Sequence, residues 1–99
     1  MQHPYIINAS IQLVPLVKDK HPYIWIDEAI EIIQHSGLKH EVGAFSTTVE
    51  GYYDEIMQLV NEINSYLVEQ KCHEWICNVQ LQLRAENDMT AEEKVEKYK

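Results

Sequence analysis

The spacing of apolar positions divides this chain into alternating strands and helices. Tyr5, Ile7, Ala9, Ile11 and Leu13 alternate with Asn8, Ser10 and Gln12, and a period of two marks a strand buried on one face. The odd positions form its core side. Pro15 ends the regular pairing, because proline has no N–H to give to a neighbouring strand. A polar connection over residues 17–21 follows, and Pro22 stands where a first-turn proline is tolerated. Ile26, Ala29, Ile30 and Ile33 then keep the spacing of a buried helical stripe. This predicts a helix over residues 23–36 with Gly37 as its stop. Tyr23 and Trp25, near its start, read as a packing edge rather than a ligand platform.

Leu38, His40 and Val42 alternate with Lys39 and Glu41 in a second strand, and Gly43-Ala44 begins a tight reversal into a third over residues 46–50. Gly51 reads as the break that ends it. From Tyr53 a second helical stripe runs through Ile56, Leu59, Val60, Ile63 and Leu67. Asp54 and Glu55 occupy its first turn, where the positive end of the helix dipole favours acids. Trp75, Cys77, Val79, Leu81 and Leu83 alternate with Asn78, Gln80 and Gln82, a fourth strand over residues 73–83. Finally Thr90 and Glu93 in T-A-E-E fit a capping box that opens a short helix to about residue 97, with Val95 and Tyr98 available to dock it.

The order β-α-β-β-α-β plus a terminal helix is the ferredoxin-like α+β pattern, a four-stranded antiparallel sheet with its two main helices on one face. The other face is expected to be left without helices and to be mixed in character. Asn8, Ser10, Gln12, Thr48, Glu50, Asn78, Gln80 and Gln82 lie there if Val49 points into the core, with Ile6, Val14 and Ile76 interrupting them. Such a face suits a wet surface, a subunit interface, or a ligand site closed by a second subunit.

Composition narrows the classes. The chain has 99 residues, one domain's worth, able to bury roughly 60–65% of its unfolded surface. Eight basic against sixteen acidic residues give a net charge of −8, which repels phosphate backbones and excludes nucleic acid as a natural partner. Cations are the better small ligands. No window has the ~20 apolar residues of a membrane span, and M-Q-H-P-Y lacks a secretory pattern, so a cytoplasmic protein is expected. Cys72 and Cys77 read as reduced thiols, Cys77 facing the core. His3, His21, His35, His40 and His73 show no zinc spacing, and no metal site is expected within one chain; Cys72-His73 is the one adjacent soft pair. Three glycines and no G-x-S-x-G argue against nucleotide and acyl chemistry. Glu41 and Glu50 on paired strands offer an acid/base couple only in principle, and no catalytic residue is assigned.

Four stretches together resemble a known family: S-I-Q-L-V-P at residues 10–15, S-G-L-K-H-E-V-G at 36–43, T-T-V-E-G-Y-Y-D-E-I-M at 47–57 and E-E-K-V-E-K-Y at 92–98. This is the small thiamine-binding protein family of ferredoxin-like domains, and the likeness runs over nearly the whole chain. Ala44-Phe45 departs from it, where the family more often has proline and then a small residue. The resemblance implies a non-catalytic protein without a cofactor, a homo-oligomer (dimer or tetramer), that holds thiamine or its hydroxymethylpyrimidine moiety. Glu50 is then expected to bond the aminopyrimidine edge or face the cationic ring, with Ser10 and Thr48 beside it and Ser46 and Thr47 as second choices near the hairpin. Gln12 and Gln80 are weaker candidates. The alternative is a structural or regulatory homo-oligomer with no small-molecule ligand.

Overall fold

The computed structural model describes residues 1–98. Its elements are β1 (Ile7–Pro15), α1 (Pro22–His35), β2 (Lys39–Val42), β3 (Thr47–Gly51), α2 (Tyr53–Glu69), β4 (Trp75–Gln82) and α3 (Ala91–Val95), the last running into a 3-10 turn at Glu96–Tyr98. One antiparallel sheet has the order β2-β3-β1-β4, so β1 and β3 are central and β2 and β4 are edges. This is the expected ferredoxin-like arrangement.

The core lies between the sheet and α1 and α2. Ile7, Ala9, Ile11 and Leu13 are all buried, as the period of two requires, and they pack with Val49, Trp25, Ala29, Ile33 and the α2 stripe Ile56, Leu59, Ile63 and Leu67. Each large apolar side chain fully withdrawn from water contributes about 1.5–3 kcal/mol. Trp25 corrects the sequence expectation: it is 0% exposed and central, not at an edge. It lies one helical turn before Ala29 and two before Ile33, so the buried stripe runs through these three, with Ile26 and Ile30 half-buried beside them. The small Ala29 side chain leaves the indole room. Lys20 Nζ sits 3.9 Å from the indole centroid and 3.6 Å from Glu28 Oε1, tying the connection before α1 to the helix.

Gly51 is a second correction. It does not break β3 but belongs to it, paired with Ile7. A Cβ there would lie 3.2 Å from Leu38 Cδ2, so the absent side chain permits a close approach. In the β2–β3 turn, the Gly43 N–H donates to the Ser46 carbonyl at 2.9 Å, which leaves Phe45 at the tip.

The third correction concerns α3. The sheet face opposite α1 and α2 is not wholly bare, because the chain returns after β4 and lays α3 across one end of it. Asp88 Oδ1 accepts from the Ile6 N–H and the Met89 N–H donates to the Ile6 carbonyl, both at 2.8 Å. Met89 is thereby buried at 3% exposure, an apolar anchor in a polar stretch. Thr90 caps α3, accepting from the Glu93 N–H at 3.4 Å, and Arg84 pairs with Glu93 at 3.1 Å.

Candidate functional site

The polar side chains of the sheet form rows across it, set by strand register. Ser10 stands between Thr48 of β3 and Gln80 of β4, with Glu41 of β2 beyond Thr48. In the next row Asn8 stands between Glu50 and Gln82, with Lys39 beyond Glu50. In the row on the other side Gln12 faces Asn78 and accepts from its Nδ2 at 3.0 Å. Val49 is fully buried, and since successive strand residues point to opposite faces, Thr48 and Glu50 share the outward face with Ser10.

Of the five residues singled out from sequence, Ser10, Thr48 and Glu50 are therefore brought together. Ser46 lies at the far end of the same face, with Gln12 and Phe45. Thr47 does not join them: paired with Ile11 and 4% exposed, it is on the side of the main helices.

Glu50 is occupied by the protein itself. Its Oε1 accepts a short hydrogen bond from the Ala91 N–H at the start of α3, and its Oε2 lies 3.7 Å from Lys39 Nζ. At 9% exposure the carboxylate is a buried anchor for α3. Glu41 is opposite Thr48 rather than Glu50, so the two acids do not face each other as a couple; Glu50's cross-strand neighbour is a lysine.

A second anchor was not foreseen from sequence. Lys94 of α3 reaches down and donates to Asn8 Oδ1 at 2.6 Å, while Asn8 Nδ2 donates to the Met89 carbonyl at 3.3 Å. Asn8, read as an outward strand residue, is only 3% exposed as a result. The sequence signal was weak: a basic residue one turn into a short capped helix whose partners lie more than eighty positions away.

Beside α3 a groove of about 590 Å³ runs between Asn8, Ser10 and Thr48 on one side and Gln80, Lys94 and Val95 on the other. Ser10 and Gln80 also line a shallower space of about 440 Å³ that continues towards Gln12, Asn78, Ser46 and Phe45. The two form one trough along β1. A cleft of about 620 Å³ on the opposite side, between α1 and the β2–β3 turn, is walled mainly by apolar groups such as Leu13, Ile26, Ile30 and Val42. Gln12, Tyr23, Asp27, Ser46 and Thr47 are its polar lining residues, so Thr47 and Ser46 face this cleft. Among the described residues no group of three His, Cys, Asp or Glu could hold a metal ion, and both cysteines are free thiols. Burial pushes the Cys77 thiol above its ordinary value, opposed by a hydrogen bond with Asn64. Among the described residues no helix is long and apolar enough to cross a membrane.

Fold and trough together define a class: a ferredoxin-like domain whose outer sheet face carries a concave set of hydroxyls and amides beneath a terminal helix. The chain belongs to the thiamine-binding protein family, whose model matches residues 9–99. A Clostridium perfringens protein of the UPF0045 family is 34% identical over 92 residues, covering 93% of this chain and 96% of the relative. A solved structure of a Bacillus cereus domain of unknown function superposes with a TM-score of 0.89 at 35% identity, covering 96% of this chain and 91% of that one. A Thermotoga maritima protein assigned provisionally to thiamine biosynthesis or salvage superposes with a TM-score of 0.86 at 41% identity, covering 95% of this chain and 99% of that one.

Proposed function

We propose that this protein is a non-catalytic binder of thiamine or its hydroxymethylpyrimidine moiety, held in the trough on the outer sheet face. The observation that carries this reading is the convergence of Ser10, Thr48 and Gln80 in one cross-strand row that floors a concave space of about 590 Å³, within the ~300–1,000 Å³ of small-ligand sites. An aminopyrimidine presents a donor amine beside acceptor nitrogens. Two hydroxyls, which donate and accept, and one carboxamide match that edge without needing a fixed charge. Glu50 supports the site by holding α3 over it through the Ala91 N–H, while Ser46 contributes at the far end. Thr47 takes no direct part, since it is turned to the other face.

Calorimetric titration of thiamine into wild type, Thr48→Val and Glu50→Ala tests the assignment. Loss of the Thr48 hydroxyl should weaken binding about tenfold, the equivalent of one hydrogen bond left unmade. Glu50→Ala should weaken it at least as much, through release of α3 from the sheet. Equal affinities for all three proteins would remove these residues from the site, and no heat with wild type would remove the ligand.

A second reading, a homo-oligomer with no small-molecule ligand, is favoured by one feature. The edge strand β4 has eight residues and no charge among them, and an uncharged edge is open to pairing with another chain. A light-scattering mass above that of a single chain, together with no thermal shift from thiamine or hydroxymethylpyrimidine, would favour it over ligand binding.

A further inference from the structure

Phe45 is the chain's one phenylalanine and is 85% exposed. A large apolar side chain so fully in water contributes nothing to the core. It is held out by the β2–β3 turn, whose closing bond from the Gly43 N–H to the Ser46 carbonyl fixes the two residues flanking Ala44-Phe45. Adding a Cβ at Gly43 would bring it within 2.9 Å of that carbonyl oxygen, so the turn is closed tightly. Phe45 lines the same space as Ser10, Gln12, Ser46, Asn78 and Gln80. It therefore stands at one end of the polar trough, on the rim that the trough shares with the cleft beside α1.

The two ends of the trough differ in charge. At the α3 end the Lys94 ammonium lies 2.6 Å from Asn8 Oδ1 and lines the groove. A ligand group of fixed positive charge is repelled there. At the Phe45 end the polar lining is hydroxyl and amide, with no basic group among the described residues, and an aromatic face attracts a cation through its quadrupole. Between the ends, Asn8 to Gln12 spans about 13 Å of strand at ~3.3 Å per residue, room for two rings joined through one carbon.

Resting on the thiamine reading above, we infer that the trough is polar in direction. It takes a neutral hydrogen-bonding ring against Ser10, Thr48 and Gln80 beneath α3, and a cationic ring against Phe45, which makes Phe45 the residue that selects two-ring cationic ligands over the lone pyrimidine. Phe45 adds affinity only when the second, charged ring is present.

The test compares thiamine with hydroxymethylpyrimidine, by calorimetry, in wild type, Phe45→Ala and Phe45→Trp. The exposure of Phe45 means that both variants should fold, which an unchanged thermal midpoint verifies. The ratio of the two affinities should move about two- to fivefold against thiamine in Phe45→Ala, as expected for a cation–π contact at an exposed ring, and Phe45→Trp should restore it. An unchanged ratio with both ligands still bound would overturn the role of Phe45 and leave the proposed function standing. No heat from wild type with either ligand would overturn both.

Discussion

Glu50 illustrates how one side chain can be correctly placed by sequence and still be given the wrong employment. Its phase on β3 follows from burial of Val49, and phase puts it on the outer face beside Asn8. Nothing in the local sequence says that the free N–H of Ala91, forty-one positions later, will meet it. The bond is charge-assisted and largely out of water, so it is worth more than a neutral one. Lys39 adds little, being 70% exposed and screened. Glu50→Ala should therefore destabilise the fold by about 2 kcal/mol, read as a lower urea midpoint. Faster amide exchange over α3 would accompany it. An unchanged midpoint would mean that α3 holds to the sheet without Glu50.

Each of the two long helices is followed by a residue in the left-handed region, but the residues and the capping bonds differ. Gly37 follows α1 at φ +77°, where a side chain is strained and glycine is not. After α2 the equivalent position is Lys71 at φ +62°. The Lys71 N–H donates to the Val68 carbonyl and the Cys72 N–H to the Leu67 carbonyl, at 3.1 and 3.0 Å, the paired bonds of a Schellman stop. Gly37→Ala should cost about 1 kcal/mol, and Lys71→Gly should stabilise by up to about 1 kcal/mol, since relief of the left-handed strain outweighs the added freedom of the unfolded chain. Thermal unfolding of both variants checks the pair, and opposite signs are required. The element that sequence located but did not orient is α3. Five residues with an apolar side chain only at Ala91 and Val95 have no stripe to declare which surface they will cover.

For the whole molecule, two half-buried groups contribute to the response to alkali. Burial, then a hydrogen bond with Glu28, raises the Tyr66 phenol above its ordinary value, and burial raises Cys77. In each case the folded protein keeps a proton that the unfolded chain gives up. The associated stability is complete below the unfolded-state values and is lost as pH rises through the folded-state values. The urea midpoint should accordingly be flat near neutrality and fall in alkali, with Tyr66→Phe flattening part of the fall. Alkylation of Cys77 in the folded protein should also lag that of a free cysteine.

The sequence by itself determined the two long helices, the ferredoxin-like order and the alternation along each strand, because periods of two and 3.6 are written in consecutive residues; it put Ser10, Thr48 and Glu50 on one face only on the condition that Val49 is buried, which the structure supplies. The same local patterns marked Gly51 as a break and Trp25 as an edge, since neither pairing register nor helix rotation is local information. Only the tertiary structure decided that Gly51 pairs with Ile7, that Trp25 centres the core, and that α3 is pinned across the polar face by Glu50, Asn8 and Lys94. Those contacts join residues forty or more positions apart through single polar bonds. A polar bond leaves no periodic trace in a sequence, so the groove beside α3 exists only once the chain has closed upon itself.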